Sequence, residues 1–382
     1  MHMQSLVFAD GRWNAPLPTE QDSPNTLVLA FAAPEFESAP APLAELALSF
    51  PQSVLAGCST SGEIRGAEVH DTSVSVCVAR FEHCQLQRAI TAIEEAGDSF
   101  AAGQRLAAQL TSTPHHDLRA VFVLSDGLHV NGTGLVAGLS AGLPAGVSIT
   151  GGLAGDGSRF GRTWVLDGGQ PRTKQVCAVG IYGQRLRVGH GCGGGWSDFG
   201  PERRVTRAQG NVLFELDGKP ALALYKEYLG ERAAGLPGAA LLFPLAVKRE
   251  GVDQETLVRT VLAVDESAQS MTFAGDLPEG GVARLMRANM PKLIDGAGQA
   301  GRSACGELAA DGAALVISVS CVGRRLVLGE RTEEEVESVC ESLPANAAHL
   351  GFYSYGEISP SVRGGASELH NQTMTVTCFS EA

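Results

Sequence analysis

The sequence predicts an α/β protein made of two related lobes, in which mixed β-sheets are flanked by helices. Three observations lead to this prediction. Apolar runs rich in β-branched residues alternate with helical patterns along the chain. The chain has 382 residues, which is enough for two domains. The segment GCSTSGEI at residues 57–64 also returns in nearly the same form as GFYSYGEI at residues 351–358.

The predicted strands are runs of β-branched residues bounded by Gly, Asp or Asn. They cover residues 26–33, 53–58, 72–81, 119–125, 174–183, 256–264, 313–321 and 372–379. Apolar residues at helical spacing predict helices over residues 40–49, 97–111, 131–143, 220–230, 281–303 and 332–343. Thr332 and Glu335 have the spacing of a capping box at the start of the last helix. Strand-like runs that follow one another closely around residues 160–190 require antiparallel neighbours, so mixed sheets are expected.

The repeated turn divides the chain into the two lobes. Each copy is followed by a loop and an alternating strand, and a degraded third version, GGLAGDG, stands at residues 151–157. A helix, a strand and a second helix precede the turn at residue 151 and again the turn at residue 351. The predicted organisation is an N-terminal lobe, a connection and a C-terminal lobe over residues 26–190, 191–219 and 220–380. The alternative is that unrelated strand-turn-strand units resemble one another by chance.

The charge balance argues against two classes of partner. The formal net charge is −13, and the longest basic runs are the pairs Arg203-Arg204 and Arg324-Arg325. A nucleic-acid-binding protein needs a clustered cationic face that contacts phosphates. An anionic membrane surface repels an acidic chain. We therefore expect neither a nucleic acid nor a membrane as a partner.

The cysteines and the N-terminus predict a cytoplasmic protein. The chain has nine cysteines, an odd number, and no two have the C-x-x-C spacing. This pattern is typical of reduced thiols that pack as small apolar side chains, and not of a disulfide framework or a zinc site. The first residues lack a basic segment followed by a long apolar stretch, so no signal peptide is expected.

A glycine-rich segment, GHGCGGGWSDFG at residues 189–200, contains the pattern G-x-G-x-x-G. In a dinucleotide-binding fold, a helix follows this pattern directly and holds the pyrophosphate at its N-terminus. Here Trp196, Gly200 and Pro201 follow, and then a strand-like run. We therefore interpret the segment as a flexible loop between the lobes.

Loops at strand ends supply the first candidate ligand contacts. Ser125 and Asp126 follow a predicted strand and precede a helix that begins at Asn131. In open α/β folds, ligands usually bind at such loops. Gly152 and Asp156 stand in the third version of the turn and are candidates for the same reason. The alternative is that glycines in this region only allow close backbone packing.

The two complete turns contain Glu63 and Glu357. If the lobes pack face to face, the turns converge on one cleft, where a carboxylate binds an amine or holds an arginine. Alternatively, both carboxylates only accept backbone amides and tighten their turns. We place the ligand site beside the second turn, where Tyr355, Glu357, His370 and Asn371 come together if the strands after residues 351 and 372 pair as neighbours.

A hydrolase is the enzymatic alternative. Cys58, in the first turn, is a candidate ligand contact. In the hydrolase alternative it is the nucleophile with His370 as its base, and Ser59 or Ser61 could replace it. The serines lack the G-x-S-x-G spacing of a nucleophile elbow, and no third triad member is evident. Because most cysteines in turns are packed apolar side chains, this reading is kept only as an alternative.

Seven segments of the chain resemble the two domains of the FIST family. LSDGL, GGLAGDG and VCAVGIYG are similar to the N-terminal FIST domain, and LYKEYLG, SCVGRR, GFYSYGEISP and ELHNQT to the C-terminal one. Together the two domains cover the chain from about residue 26 to residue 380. The resemblance implies a bacterial sensory module and not an enzyme. Such a module binds a small ligand, for example an amino acid, and signals to a separate protein such as a histidine kinase, a diguanylate cyclase or a chemoreceptor.

One branch of the family is regarded as haem-binding nitric-oxide sensors, which gives an alternative function. A haem b site needs an axial ligand in an apolar pocket. His370 is the first candidate for this ligand, followed by His129 and His190, and no C-x-x-C-H motif of c-type haem is present. Apart from this alternative, no cofactor and no metal site is expected.

Overall fold

A unit of four strands recurs three times along the chain. The computed structural model describes residues 1–249, 256–306, 308, 313–362 and 364–382. These residues form three mixed β-sheets and one antiparallel sheet, with helices packed against them. The predicted α/β fold with mixed sheets and an internal repeat is confirmed, and the repeat has a third member. No helix among the described residues is both long and apolar enough to cross a membrane.

The first copy of the unit occupies the N-terminal part of the chain. Its elements are β1 (His2–Ala9), β2 (Arg12–Trp13), β3 (Thr26–Ala32), α1 (Ala41–Ser49), β4 (Val54–Ser59), β5 (Glu63–Arg65), β6 (Glu68–His70) and β7 (Val74–Arg80). The parallel strands β3 and β4 are joined by α1, and β7 and β1 extend the sheet with antiparallel pairing, so the order is β4-β3-β7-β1. Strand β3 is buried along its whole length, as its continuous apolar sequence predicts.

The second copy repeats this arrangement and adds a helix after its first strand. Its elements are β8 (Gln85–Ala92), α2 (Ser99–Thr111), β9 (Leu118–Ser125), α3 (Gly132–Gly142), β10 (Ser148–Leu153), β11 (Val165–Asp167), β12 (Gln170–Arg172) and β13 (Gln175–Tyr182). The order β10-β9-β13-β8 matches that of the first copy. Helix α3 begins where the sequence predicts, because Asn131 accepts a hydrogen bond from Gly134 N at 3.1 Å.

The third copy is interrupted by an inserted domain after its first strand, β14 (Leu186–Gly193). The inserted elements are β15 (Trp196–Asp198), β16 (Arg203–Gln209), β17 (Val212–Leu216), β18 (Lys219–Pro220), α4 (Ala221–Leu229), β19 (Leu245–Lys248), β20 (Leu257–Arg259), β21 (Val261–Asp265), β22 (Ser270–Phe273) and β23 (Val282–Ala288). Their strands form the antiparallel sheet, which has its own apolar core.

After the insertion, the third copy resumes. Its remaining elements are α5 (Met290–Cys305), β24 (Ala314–Cys321), α6 (Val322–Leu328), α7 (Thr332–Cys340), β25 (Ala347–Ser354), β26 (Gly356–Pro360), β27 (Ser367–His370) and β28 (Met374–Glu381). The strand order β25-β24-β28-β14 is again that of the first copy. The insertion therefore separates the first strand of the third unit from the rest of its sheet in sequence but not in space.

Each unit donates a two-stranded hairpin to the sheet of another unit. The hairpin β5-β6 pairs with β25, β11-β12 with β4, and β26-β27 with β10. These exchanges close a ring, because the first unit donates to the third, the second to the first, and the third to the second. The three versions of the turn all lead from a parallel strand towards a donated hairpin. Strand pairing therefore crosses the predicted lobe limits at residues 190 and 220.

At the centre of the ring, backbone hydrogen bonds join the three turns. The fifth residue of each turn donates its amide to the third residue of another turn. The pairs are Ser61 N with Tyr353 O at 2.8 Å, Gly155 N with Ser59 O at 3.0 Å, and Tyr355 N with Leu153 O at 3.2 Å. Apolar side chains from the three mixed sheets pack together in one core, in which the rings of Phe31 and Phe352 have centroids 4.6 Å apart.

The glycine-rich segment begins as a strand, and the prediction of a flexible loop is wrong. Glycine at alternate positions of β14 places one face of the strand against helix α5 without side chains between them. A Cβ at Gly189, Gly191 or Gly193 would lie 1.9, 2.0 or 1.9 Å from the carbonyl oxygen of Ala304, Ala300 or Gly296, respectively. The glycine pattern that resembles a dinucleotide fingerprint is therefore explained by the close packing of helix α5 on strand β14.

The predicted helix at residues 281–303 starts later than expected. Residues 282–288 form strand β23, and α5 begins at Met290 with Pro291 in its first turn. Asn289 caps the helix, because its side chain accepts a hydrogen bond from Lys292 N at 3.2 Å. The apolar spacing of the segment fits a strand and a helix equally, and the Asn-Met-Pro sequence marks the change.

The predicted capping box at Thr332 is also wrong. The Thr332 hydroxyl donates to a carbonyl of the preceding turn, and Glu335 faces the core. There its carboxylate lies 2.8 Å from Arg324 Nη2 and accepts hydrogen bonds from Ser320 at 3.0 Å and from Tyr353 at 2.8 Å. A buried guanidinium requires this partner, so the charge pair determines the orientation of the glutamate.

Replacing Gly191 by alanine should destabilise the third unit, because the new Cβ has no room beside the carbonyl of Ala300. Helix α5 would have to move away from β14, which we expect to lower the free energy of unfolding by about 1–3 kcal/mol. The matched control is Gly194→Ala, where a Cβ meets no atom within 4 Å. Thermal unfolding of both variants checks the prediction. Equal melting temperatures would show that the close contact is not required.

Candidate functional site

Glu63 and Glu357 occupy equivalent positions and make equivalent hydrogen bonds. The donors to Glu63 are the Thr60 hydroxyl and the amide and hydroxyl of Ser73, and the donors to Glu357 are the Ser354 hydroxyl and the amide and hydroxyl of Thr373. Ser73 directly precedes β7 and Thr373 directly precedes β28, and each of these strands is the final strand of its unit. Each carboxylate therefore ties its turn to the strand that completes the unit.

Both carboxylates are fully buried. Burial raises the pKa of Glu63 and of Glu357 to about 7, although the hydrogen bonds act in the opposite direction. This geometry corresponds to the tightening role that the sequence analysis gave as the alternative to ligand binding. Contact of either carboxylate with a ligand stays a prediction.

In the second unit, Asp126 takes the place of the missing turn carboxylate. Gly157 stands where the other two turns have glutamate. Asp126 Oδ2 accepts a hydrogen bond from Lys174 N at 3.1 Å, and Lys174 directly precedes the final strand β13. The other oxygen accepts from His129 N at 2.7 Å. The neighbouring Ser125 is fully buried, and its hydroxyl has no hydrogen-bond partner among the described residues.

Asp156 and Tyr355 join the second turn to the third. The Tyr355 hydroxyl donates to Asp156 Oδ1 and accepts from Phe160 N at 3.3 Å. The rings of Tyr355 and Phe160 are stacked, with their centroids 4.5 Å apart. The other oxygen of Asp156 accepts from the amides of Gly161 and Arg162 at 2.9 and 2.8 Å. Burial raises the pKa of Tyr355 above its ordinary value. The pair fixes the loop that follows the second turn.

The hairpin β26-β27 brings three of the predicted site residues next to Tyr355. Glu357 and His370 are direct partners in its antiparallel pairing, and Asn371 Nδ2 lies 3.5 Å from Tyr355 O. The predicted pairing of the strands after residues 351 and 372 is wrong, because β24 lies between β25 and β28. His370 Nε2 donates to Ser359 O at 2.9 Å. All four predicted side chains are buried.

A cavity of about 230 Å³ lies beside β27, between this edge strand, helix α3 and the inserted sheet. The polar residues that line it are Thr133, Lys248, Arg249, Arg259, Asp276, Ser367 and Glu368. The apolar residues are Val136, Ala137, Val247, Leu257, Leu277, Pro278 and Leu369. A few polar groups between apolar walls are usual for small-ligand sites. The cavity is formed jointly by the second unit, the hairpin of the third unit and the inserted domain.

Arg259 is the buried cation of this cavity and is 3% exposed. Its Nε donates to Asp276 O at 3.1 Å, and its Nη1 donates to Leu369 O at 3.0 Å and Val258 O at 3.3 Å. Burial lowers the pKa of Arg259 to about 10. The side chain of Asp276 is held by Asn131, whose Nδ2 donates to Oδ1 at 2.7 Å.

Neither Arg259 nor Asp276 is among the site residues predicted from the sequence. A signal was present for the arginine, which interrupts an apolar strand-like run at residues 256–264. A charged residue in such a run is rarely buried without a partner. Asp276 had no comparable signal, because its contact with Asn131 joins residues 145 positions apart.

Cys58 and Gly152 lie in packed parts of the ring. Cys58 is fully buried, and burial raises the pKa of its thiol well above the ordinary value, which disfavours the reactive thiolate. A Cβ at Gly152 would lie 2.6 Å from a valine side chain of β24. The hydroxyl oxygens of Ser59 and Ser61 accept backbone amides at 3.1 and 3.0 Å. The hydrolase alternative therefore lacks an available nucleophile at these positions.

The surroundings of His370 do not fit a haem. Its Nε2 is bonded to a carbonyl, and the nearby cavity of about 230 Å³ is below the roughly 300–1,000 Å³ of drug-sized ligand sites. His129 Nδ1 lies 3.1 Å from Asp126 Oδ1, and its side chain is 42% exposed, so it does not face an apolar pocket. His190 stands on β14 and is partly buried. Within the described part of the chain, no group of three or more His, Cys, Asp or Glu residues could hold a metal ion.

The chain is thus a ring of three interlocked α/β units with an inserted domain, and a polar cavity lies between them. Models of two related domains match most of the chain. The FIST N domain matches residues 26–219, and the FIST C domain matches residues 221–360. The chain belongs to the FIST family and carries its two related domains in tandem. FIST domains are small-ligand sensory domains of signalling proteins.

Similarity to individual proteins is weaker. A segment of 85 residues is 36% identical to an uncharacterized protein of Methanocaldococcus jannaschii, and the match covers 22% of this chain and 16% of that protein. A crystal structure of a cyanuric acid hydrolase from A. caulinodans has a TM-score of 0.37 at 9% identity, with 93% of this chain and 89% of that chain covered. A chorismatase has a TM-score of 0.35 at 10% identity, with coverages of 99% and 98%.

The buried carboxyl group of Glu357 should make stability depend on pH. Because the pKa is about 7 in the folded chain and about 4.3 in an unfolded chain, the folded chain keeps a proton that the unfolded chain has released between these values. The contribution of this group is therefore complete below about pH 4 and is lost as the pH rises through 7. The isosteric variant Glu357→Gln has no proton to lose.

We therefore expect the difference in melting temperature, Glu357→Gln minus parent, to increase from pH 5 to pH 8. Thermal unfolding at a series of pH values measures this difference. The control is Glu341→Gln at an exposed position, which should show no such trend. A constant difference between Glu357→Gln and the parent would mean that Glu357 is charged throughout this range.

Proposed function

We propose that the chain is a cytoplasmic sensory protein that binds a small ligand and signals to a separate partner, such as a histidine kinase, a diguanylate cyclase or a chemoreceptor. The observation that carries this proposal is the polar cavity between β27, α3 and the inserted sheet. Membership of the FIST family supports the sensory role. Seven of the nine cysteines are buried, as expected for small apolar side chains in a reducing compartment.

The position of the cavity suggests how binding becomes a signal. The inserted domain contacts the ring through hydrogen bonds as well as apolar packing. Trp196 Nε1 donates to Gln372 O at 2.9 Å, and Gln372 Nε2 donates to Thr260 Oγ1 at 3.0 Å. A ligand in the cavity would add contacts between the two bodies and change their relative orientation. A partner that contacts both would detect this change.

An amino acid is the ligand class that we favour within this proposal. The cavity combines the guanidinium of Arg259 with the carboxylates of Asp276 and Glu368. A guanidinium binds a carboxylate, and a carboxylate binds an ammonium group. A volume of about 230 Å³ also suits a ligand smaller than a typical drug.

The proposal includes neither catalysis nor a cofactor. The thiol and hydroxyl groups of the first turn are buried or bonded to the backbone, and the site of His370 does not fit a haem. We therefore expect the purified protein to be colourless. An absorption spectrum with a Soret band, retained after gel filtration, would favour the haem alternative instead.

Ligand binding should raise the melting temperature with increasing ligand concentration, because the ligand binds the folded state alone. A thermal-shift screen of the common amino acids tests this expectation. In the variant Ala137→Trp, an indole on the cavity wall should remove the response to any active compound. Ala141→Trp, one turn further along α3 at another exposed position, is the matched control. If Ala137→Trp responds as the parent does, the ligand binds elsewhere.

A further inference from the structure

Two arginines are buried among the residues that the structure describes, and their partners differ. Arg324 is fully buried, and its guanidinium lies 2.8 Å from the carboxylate of Glu335, also fully buried. Arg259 is equally enclosed, but among the described residues it has no carboxylate within salt-bridge distance. Its partners are backbone carbonyls. The carboxylates of Asp276 and Glu368 attract it only from beyond that distance, and burying a cation is unfavourable unless a close opposite charge compensates it.

Some N–H groups of Arg259 have no acceptor among the described residues. A guanidinium has five N–H groups. The Nε group donates to Asp276 O, and the two groups of Nη1 donate to Leu369 O and Val258 O. The two groups of Nη2 make no hydrogen bond to a described residue. Because Arg259 lines the cavity beside β27, an acceptor in this cavity would satisfy them.

The other charged groups of the cavity restrict the kind of anion. Lys248 and Arg249 line it together with Arg259, Asp276 and Glu368. The cations can bind a carboxylate of the ligand, and the carboxylates can bind an ammonium group. A phosphate dianion has no cationic group for these carboxylates and would be repelled by them.

We propose that Arg259 binds the carboxylate group of the ligand and that this cavity selects ligands that carry such a group. This inference rests on the proposed use of the cavity as the ligand site. Planar guanidinium and carboxylate groups match in geometry and form charge-assisted hydrogen bonds, which are stronger than bonds between neutral groups. The carboxylate would supply an opposite charge within salt-bridge distance, as Glu335 does for Arg324.

Three small probes test which charged group of a ligand the cavity binds. Sodium acetate has only a carboxylate, glycine has a carboxylate and an ammonium group, and glycinamide hydrochloride has an ammonium group without a carboxylate. The melting temperature is measured for each probe against sodium chloride at equal ionic strength. Acetate and glycine should raise it by about 2 °C at ten times their dissociation constants, and glycinamide should not.

The variant Arg259→Gln should lose the response to acetate and glycine. Its matched control is Lys226→Gln, which removes one positive charge from the same domain at a site away from the cavity, where the lysine pairs with Glu266 at 2.5 Å. Acetate also stabilises proteins through exclusion from their surface. This effect is common to all variants, so the difference between parent and Arg259→Gln is the measured quantity.

The outcomes separate this inference from the proposed function. If acetate and glycine stabilise Arg259→Gln as much as the parent, or if glycinamide acts as they do, the inference is wrong, while a response of the parent still supports a ligand-binding module. If Arg259→Gln does not fold, Ala137→Trp serves instead, because it fills the cavity and leaves Arg259 in place. An unchanged acetate response in that variant also overturns the inference. If no compound of either screen stabilises the parent, both proposals fail.

Discussion

The exchange of hairpins is the constraint on which the rest of the structure depends. Strands β4, β10 and β25 each stand at the end of a four-stranded sheet, where their backbone groups would be unpaired. The hairpin of another unit covers each of these edges, and backbone hydrogen bonds between the three turns complete the centre. No unit can satisfy its own edge. The three units therefore have to fold as one body, with a core to which all three mixed sheets contribute.

Much of this fold could be predicted from the sequence, and the limits have physical reasons. Alternating strands and helices, mixed sheets and the repeated turn were all visible in local patterns. The second unit was harder to recognise as a copy, because Gly157 replaces the turn glutamate and Asp126 supplies the carboxylate from the loop after β9. The inserted domain also separates β14 from its own sheet. Local patterns do not contain the exchange itself, since it pairs residues hundreds of positions apart.

The candidate site could be predicted only in part. Tyr355, Glu357, His370 and Asn371 are brought together around one hairpin, but they are buried and bonded to one another and to the backbone. The cavity lies beside the same hairpin, and its central cation comes from the inserted sheet. Arg259 reaches the hairpin through Leu369, a contact that spans 110 positions. Sequence patterns locate the hairpin, but they do not show which distant side chain packs against it.

Hydrogen bonds from Arg324 determine how the inserted domain is attached. Its guanidinium binds the carbonyl of Gly194 at 2.7 Å, where the chain leaves the ring, and the carbonyl of Leu293 at 2.7 Å, where the chain returns. One side chain thus holds both ends of the insertion, and Glu335 fixes that side chain in turn. The ring is complete without the sequence between these two points. A different inserted domain could be exchanged there in evolution, so that the same ring would serve sensors for different ligands.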